Sequence, residues 1–350
     1  MTTAGTRERV SLHDARPAYV LPARESSVRR ALDQLRRKPA AFAALVFLAS
    51  LIFVSVFAEL LAADLPLFAR IGGKTFVLPA VTRPPELANQ NCQTLERSRT
   101  AADTMVFPPV RYGAETRAEG GAGHLLGTDA KGRDVFARAV YATRTTVTLA
   151  LACALAFVFI GTLFGAAAGF FGGIVDGVLT RLIETLTAFP PLVLVLAIQA
   201  MLPKPTLLTM LAVIGLIRWP EIARVVRAEM LSVVSRDYVT AARALGASPL
   251  RILTLHVAPN VKGPVLVAVT FALGSVVLVE ASLSFLHVGV PEGTPSWGAM
   301  LRDVSRTGGS PWLLVLPGVL LFSCLVSINV VAEALRDLLD PRLASEAPEK

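Results

Sequence analysis

Six long stretches without Asp, Glu, Lys or Arg restrict this chain more than any other feature of its sequence. They cover residues 40–58, 145–175, 185–203, 205–217, 263–279 and 307–332. The fifth continues through Glu280 to about residue 290, and the short fourth extends past Arg218. A hydrocarbon layer of about 30 Å takes about 20 helical residues to cross, and lipid offers the backbone no hydrogen-bond partner, so such runs fold as membrane-spanning helices. Between the third and fourth runs, Leu202-Pro203-Lys204-Pro205 reads as a tight turn. Composition agrees: 53% of the 350 residues are hydrophobic and only 17% are charged, too apolar a balance for a soluble domain. The fold class that follows is all-α, a polytopic membrane protein with six transmembrane helices.

Charge sets the orientation. The leader 1–39 carries nine basic and four acidic residues and the segment 218–262 seven basic and three acidic, so both are expected in the cytoplasm. The segment 64–142 is nearly balanced, ten basic against eight acidic, and long enough to cross whatever its charge. It is expected outside, as an extracytoplasmic insertion. Six crossings return both termini to the cytoplasmic face of a plasma (inner) membrane. The net charge of +8, which alone suggests a nucleic-acid binder, becomes a topology signal, and no nucleic-acid partner is expected. The chain divides into a cytoplasmic leader 1–39, a retained first transmembrane helix 40–63, the insertion 64–142, a core 143–340 and a cytoplasmic tail 341–350. In the leader, Val28, Ala31, Leu32 and Leu35 recur at helical spacing among Arg29, Arg30, Arg36, Arg37 and Lys38. That pattern predicts an N-terminal helix lying on the membrane surface, the alternative being a solvated basic tail.

The segment 218–262 carries the densest local signals. Residues 221–245 contain no Pro or Gly and read as helix, stopped at Gly246, the residue best suited to a left-handed C-cap. Ser248-Pro249 supplies an N-cap followed by Pro at the first helical position. A second short helix over 250–257, with Leu250, Leu253 and Val257 on one face, is expected to end before Pro259-Asn260. Helix, glycine turn, short helix and proline stop make either a lever or docking surface between two spans, or a cover for the membrane surface.

At this point the residues resemble a known family. Asp237-Tyr238-Val239-Thr240-Ala241-Ala242-Arg243-Ala244-Leu245-Gly246-Ala247-Ser248, continuing to His256-Val257-Ala258-Pro259-Asn260, is similar to the EAA loop of ABC importer permeases. The resemblance is to the second permease subunit of the dipeptide/oligopeptide/nickel branch. Leu126-Gly127-Thr128-Asp129-Ala130-Lys131-Gly132-Arg133-Asp134 resembles the segment before that family's second span, and Gly169 to Asp176 its next turn. Leu283-Ser284-Phe285-Leu286, Thr294-Pro295-Ser296-Trp297-Gly298 and Asp337 to Pro341 resemble later parts. The resemblance implies an ATP-driven, binding-protein-dependent importer of di- or oligopeptides, with nickel or modified peptides as alternative cargo. It implies a homologous second permease subunit, one or two ABC ATPase subunits and an extracytoplasmic peptide-binding protein as partners. ATP and Mg would sit on the ATPase, with no cofactor on this chain. Tyr238, Thr240, Ala241, Ala242, Gly246, Ala247, Ser248, Pro249, His256 and Pro259 would be the ATPase-coupling positions. Two departures stand out: Thr240 occupies the place of the motif glutamate, and His287 a place where the family usually has glycine.

Other chemistries fit less well. Gly72-Gly73-Lys74-Thr75 has the ending of a P-loop, but Phe68 stands where the first glycine belongs, and no strand or long helix is expected to frame it. Three cysteines form no CxxC or metal pattern, and Cys92 has no second cysteine in the insertion. Asp129 and Asp134 suggest a cation loop, but Lys131 and Arg133 between them argue against one. Glu59, Glu184 and Glu280 lie at or near membrane depth, where ionisable groups are costly. Glu280, followed by Ser284 and His287, is the candidate for the translocation path; the other reading of Glu280 is a hydrogen-bonded structural carboxylate at a subunit interface. No paired aspartates, Ser/His dyad or HExxH accompanies it, so no enzymatic activity is expected. Gly161, Gly165, Gly169, Gly172 and Gly173 predict close helix packing, within the core or across a heterodimer. A channel, a secondary transporter or a receptor whose sensor is 64–142 remain as rivals; the insertion reads equally as a cap on a binding protein or as a poorly ordered loop.

Overall fold

The structure, a computed structural model, describes residues 38–339 except 88, 101–102, 118–122, 204–205 and 308–310. The leader with its expected surface helix, and the tail, lie outside the described residues. Helix α1 (Pro39–Val56) opens on a proline, whose missing N–H is one that a first turn leaves unbonded anyway. A short α2 (Ala58–Leu61) follows. After the insertion comes α5 (Val135–Phe171), which starts ten residues before the second uncharged run. Asp134 moves the start: its Oδ1 accepts the Ala137 N–H at 2.7 Å, capping the helix from the loop.

The third apolar run is not one straight span. Helix α6 (Gly173–Thr187) and α7 (Pro191–Met201) meet at a bend of 77°. Pro190-Pro191 explains the break, because each proline lacks a donor and pushes the residue before it out of the helical region. Helix α8 (Leu207–Val234) begins in a capping box, Thr206 and Thr209 exchanging side-chain and backbone bonds, and runs on past Arg218 as expected. It then stops at Ser235, ten residues before the expected end, and α9 (Asp237–Ala244) follows. The proline stop at Pro259 does not occur. Instead α10 (Pro249–Arg251) passes into a π-helical turn (Ile252–Val257) and then into α11 (Ala258–Phe285). The Ala258 N–H bonds to the Leu253 carbonyl, five residues back, so Pro259 falls in the first turn of the next segment, where its missing donor costs nothing. The amphipathic α12 (Trp297–Thr307) and the long α13 (Trp312–Leu339) close the chain.

Among the described residues four helical stretches can cross a membrane by length and apolarity: α1, α5, the run Pro249–Phe285 and α13. The bent α6–α7 pair passes only if taken as a single span. The sequence predicts six; α8 falls short because Arg218, Glu221, Arg224 and Arg227 interrupt its apolar stretch.

Contacts fix helix directions. Built Cβ atoms on Gly161, Gly165 and Gly169 of α5 would lie 2.7 Å from the Trp219 carbonyl, 2.5 Å from the Ala223 carbonyl and 2.5 Å from the Met230 Cβ. Both sets of numbers rise together, so α5 and α8 run parallel, backbone to backbone. Thus three of the five glycines pack inside this chain. Gly172 and Gly173 have positive φ and open space around them, and they form the α5–α6 break instead. Helix α11 is antiparallel to α13, with Gly263 against Leu339 and Gly274 against Ile328. Lys38 at the start of α1 pairs with Asp337 at the end of α13 at 2.5 Å. The starts of α1 and α11 and the end of α13 therefore share one end of the bundle, with the 235–257 elbow beside them.

At the opposite end sits the insertion, and here the all-α expectation is corrected. Strands β1 (Phe68–Ile71), β2 (Lys74–Val77) and β3 (Thr104–Val106) form an antiparallel sheet in the order β2-β1-β3. Gly72 and Gly73, at φ 55° and 81°, make the left-handed turn that a tight hairpin requires. The P-loop-like Lys74-Thr75 is thus the start of β2, and strands do frame it. Ala63, Leu65, Ala80, Leu87 and Leu95 form a small core beneath the sheet, with α3 (Pro79–Thr82) and α4 (Cys92–Arg97) packed around it. The insertion is fastened to the bundle through Arg133, on the loop before α5, which pairs with Asp303 of α12 at 3.3 Å. Cys92 is buried, and burial pushes its thiol above the ordinary range. In a Cys153→Ala/Cys324→Ala background, an impermeant maleimide is expected to label Cys92 only after denaturation; fast native labelling would contradict this packing.

Candidate functional site

The positions singled out by sequence gather into two places, one at each end of the bundle. At the elbow, Gly246 at φ +80° donates to the Arg243 carbonyl at 3.0 Å, and Ala247 donates to the Ala242 carbonyl at 3.1 Å. This pair of bonds closes α9 in a Schellman motif, which requires a left-handed residue at position 246. The Ser248 hydroxyl then caps α10 by accepting the Arg251 N–H at 3.4 Å. Val239, Ile252 and Val257 are buried and anchor the elbow in the main core. Asn260 donates to the Tyr238 hydroxyl at 3.3 Å, and the Tyr238 and His256 rings lie 6.5 Å apart, clasping the two arms. Thr240, Ala241, Gly246, Ser248, Pro249 and Pro259 are exposed, while Ala242, Ala247 and His256 are half-buried. Leu245 and Leu250 project on either side of the turn, 89% and 70% exposed, an apolar knob on a rigid stem.

Glu280 sits near the other end of α11, inside this chain. Its side chain is fully buried inside this chain, as is that of Ser284. The Ser284 hydroxyl donates to Glu280 Oε1 at 2.7 Å and that of Thr146 to Oε2 at 3.3 Å. The indole of Trp297 donates to Thr143 at 3.2 Å. A carboxylate buried this deeply is retained because its hydrogen bonds are satisfied, and here it ties α5, α11 and the start of α12 together. Neither Glu280 nor Ser284 presents surface in this chain. His287, by contrast, is exposed, and its φ is +70°.

His287 belongs to a cleft of about 430 Å³ formed by the loop before α5, the turn after α11 and α12. Its floor is an ion network. Asp129 accepts from Arg133 Nε at 2.8 Å and from Arg138 at 2.5 Å, and both arginines reach Asp303, at 3.3 and 3.0 Å. Arg133 also pairs with Glu115 at 3.0 Å. Burial pushes the Asp129 carboxyl up, but the N–H and guanidinium of Arg133 and the charge of Arg138 outweigh it and hold it below the usual carboxylate range. Asp129 and Asp134 thus make no cation loop: the first neutralises arginines, and the second caps α5 and pairs with His124 at 2.7 Å. Among the described residues no group of three His, Cys, Asp or Glu side chains suits a metal ion. A second cleft of about 750 Å³ adjoins the first at Gly293 and Thr294 and runs under the insertion.

Residues 161–345 match the family described as binding-protein-dependent transport system inner membrane component. The dipeptide transport system permease protein DppC of Haemophilus influenzae is 34% identical over 250 residues, 71% of this chain and 81% of that protein. The chain belongs to this permease family. The oligopeptide transport system permease protein OppC of Bacillus subtilis is 36% identical over 221 residues, covering 63% of this permease and 72% of that one. Among solved structures, the MetNI methionine ABC transporter in an inward-facing conformation aligns at a TM-score of 0.46 and 17% identity, over 56% of this chain and 93% of that one. As a member of this family with several long apolar helices, the permease is a multi-pass inner-membrane transport subunit. The cleft is only partly legible in the sequence: Asp129, Lys131 and Arg133 stand in a recognised motif, but Arg138, Glu292, Arg302 and Asp303 carry no local signal.

Proposed function

We propose that this permease forms half of the translocation path of an ATP-driven peptide importer and is coupled to an ATPase subunit through the elbow at 237–260. The observation that carries the coupling is the elbow itself: an apolar knob held by a Schellman turn and rooted in the helices on both sides. A push on such a knob moves α8 and α11 together, because Val239, Ile252 and Val257 are packed in the core. Peptide as cargo rests on the dipeptide and oligopeptide permeases among its relatives.

Six crossings remain the topology of this reading. With α5 and α8 parallel, the α6–α7 pair has to carry the chain back across, and α8 then makes a crossing despite its charges. The shared position of the starts of α1 and α11 and the end of α13 supports placing both termini and the elbow on one side, and the basic excess of 218–262 supports that side being the cytoplasm. A homologous second permease subunit completes the path, one or two ABC ATPases hold the ATP and Mg, and an extracytoplasmic binding protein delivers cargo. Thr240, with its hydroxyl 3.5 Å from the Arg236 carbonyl, offers a neutral contact where the family motif has an acid.

Gly246→Asp tests the coupling. At φ +80° a side chain costs about 1 kcal/mol, little enough to leave the bundle folded while distorting the turn. Reconstituted with its partners, the variant is expected to retain ATP hydrolysis and to lose at least about tenfold of its peptide uptake per ATP. Wild-type uptake per ATP would refute the elbow's role; failure of any ATPase to co-purify with the chain would refute the importer reading.

A further inference from the structure

The geometry points to the charged cleft at the outer end as a receiving site for the free termini of a zwitterionic peptide, with His287 as its selecting side chain. This inference rests on the peptide-importer reading and adds a site within the permease that discriminates cargo. At about 430 Å³ the cleft lies within the range of about 300–1,000 Å³ that holds small ligands. Its floor is built rather than incidental. The Arg133 and Arg138 side chains are 6% and 3% exposed, and with Asp129 and Asp303 they compensate one another's charge. The Arg138 Nε is buried and without an acceptor among the described residues.

What the cleft offers a ligand lies on its rim. Lys131, on the loop before α5, and Glu292, on the turn after α11, are both exposed and line it from different walls. Among the described residues neither side chain has an ion-pair partner. One cation and one anion on separate walls, over a compensated floor, complement a ligand bearing both signs. A peptide with a free α-carboxylate and a free α-ammonium is such a ligand, and a capped peptide is not. His287 adds a second kind of observation. At φ +70° it holds a conformation that glycine adopts freely and a residue with a β-carbon adopts at a cost, on the wall of this same cleft. Strain of that sort persists where the side chain it presents is used.

The test is uptake of trialanine and of trialanine amide by proteoliposomes holding the complete transporter with its binding protein. The binding protein's own preference between the two peptides is common to all variants and cancels in the comparison. Lys131→Gln is expected to raise the half-saturating concentration of trialanine about tenfold, the worth of one charge-assisted contact, and to leave that of the amide in place. His287→Gly relieves the strained backbone, so it is expected to melt no lower than wild type while weakening trialanine in the same direction. Equal effects on acid and amide, or no effect, would overturn the proposal while leaving the importer reading intact. Wild-type vesicles that move neither peptide would overturn the peptide reading and this inference with it.

Discussion

Gly165→Val is expected to destabilise the folded permease by about 3 kcal/mol or more. The built Cβ at this position lies 2.5 Å from the Ala223 carbonyl, 2.8 Å from the Val226 Cβ and 2.9 Å from the Ala223 Cα. Two of those neighbours are backbone, so no rotamer change on α8 makes room, and the helices have to separate. In lipid, helix association depends on this close approach, because the hydrophobic effect that joins helices in water is absent. Overpacking against side chains costs about 1–3 kcal/mol, and a clash with backbone belongs at or above the top of that range. At about 3 kcal/mol the ratio of folded to unfolded protein falls more than a hundredfold. Gly177→Ala is the control: Gly177 has nothing within 4 Å, so that variant is expected to behave as wild type. Size-exclusion profiles of the detergent-extracted proteins after a temperature ramp decide the matter; a monodisperse Gly165→Val protein with wild-type melting would show that α5 and α8 do not pack as described.

The second large effect is expected from Asp129→Ala. This carboxylate accepts from Arg133 Nε, from Arg138 and from the backbone N–H groups of Lys131 and Arg133, both at 2.9 Å. Its removal leaves two buried guanidinium groups short of an acceptor, a change that costs about 3–5 kcal/mol in buried pairs. The pH dependence has a definite sign. Because the folded carboxyl titrates below its unfolded value, near about 4, the stability it contributes is present above that value and is lost as pH falls through the lowered folded one. Wild type is therefore expected to keep the Asp129 network intact at pH 5–6, and Asp129→Ala to be weakened at every pH above about 4. Limited proteolysis of the loop 123–134, which leads into α5, followed across pH, reads this directly. Equal cleavage of the two proteins at pH 7 would contradict the network.

How much of this was legible in the sequence depends on the range of the interaction concerned. The apolar runs at 40–58, 145–175, 263–279 and 307–332, the Gly246 stop and the Ser248-Pro249 start are local patterns, and each found its counterpart. Local patterns also misled where a competing rule intervened. The run 185–203 hid a 77° break because hydropathy averages over Pro190-Pro191, and Pro259 stopped nothing because a π-helical turn shifted it into a first turn. The sheet went unseen because its strands are three or four residues long, with Ala and Arg among the apolar positions of β1.

The sequence by itself determined that this chain lives in a membrane, that its 237–260 segment turns at Gly246, and which permease family it resembles, because hydropathy, caps and motifs act over a few residues. Only the tertiary structure decided what the polar groups do. Glu280 became an internal tie through Thr146, 134 residues away, and Arg133 found Asp303 across 170 residues. Three glycines of one stripe pack a helix pair and two break a helix, although their spacing reads alike. Each of these outcomes depends on which surfaces meet once the helices have assembled, and that is decided by contacts between residues too far apart in the chain for any local pattern to record.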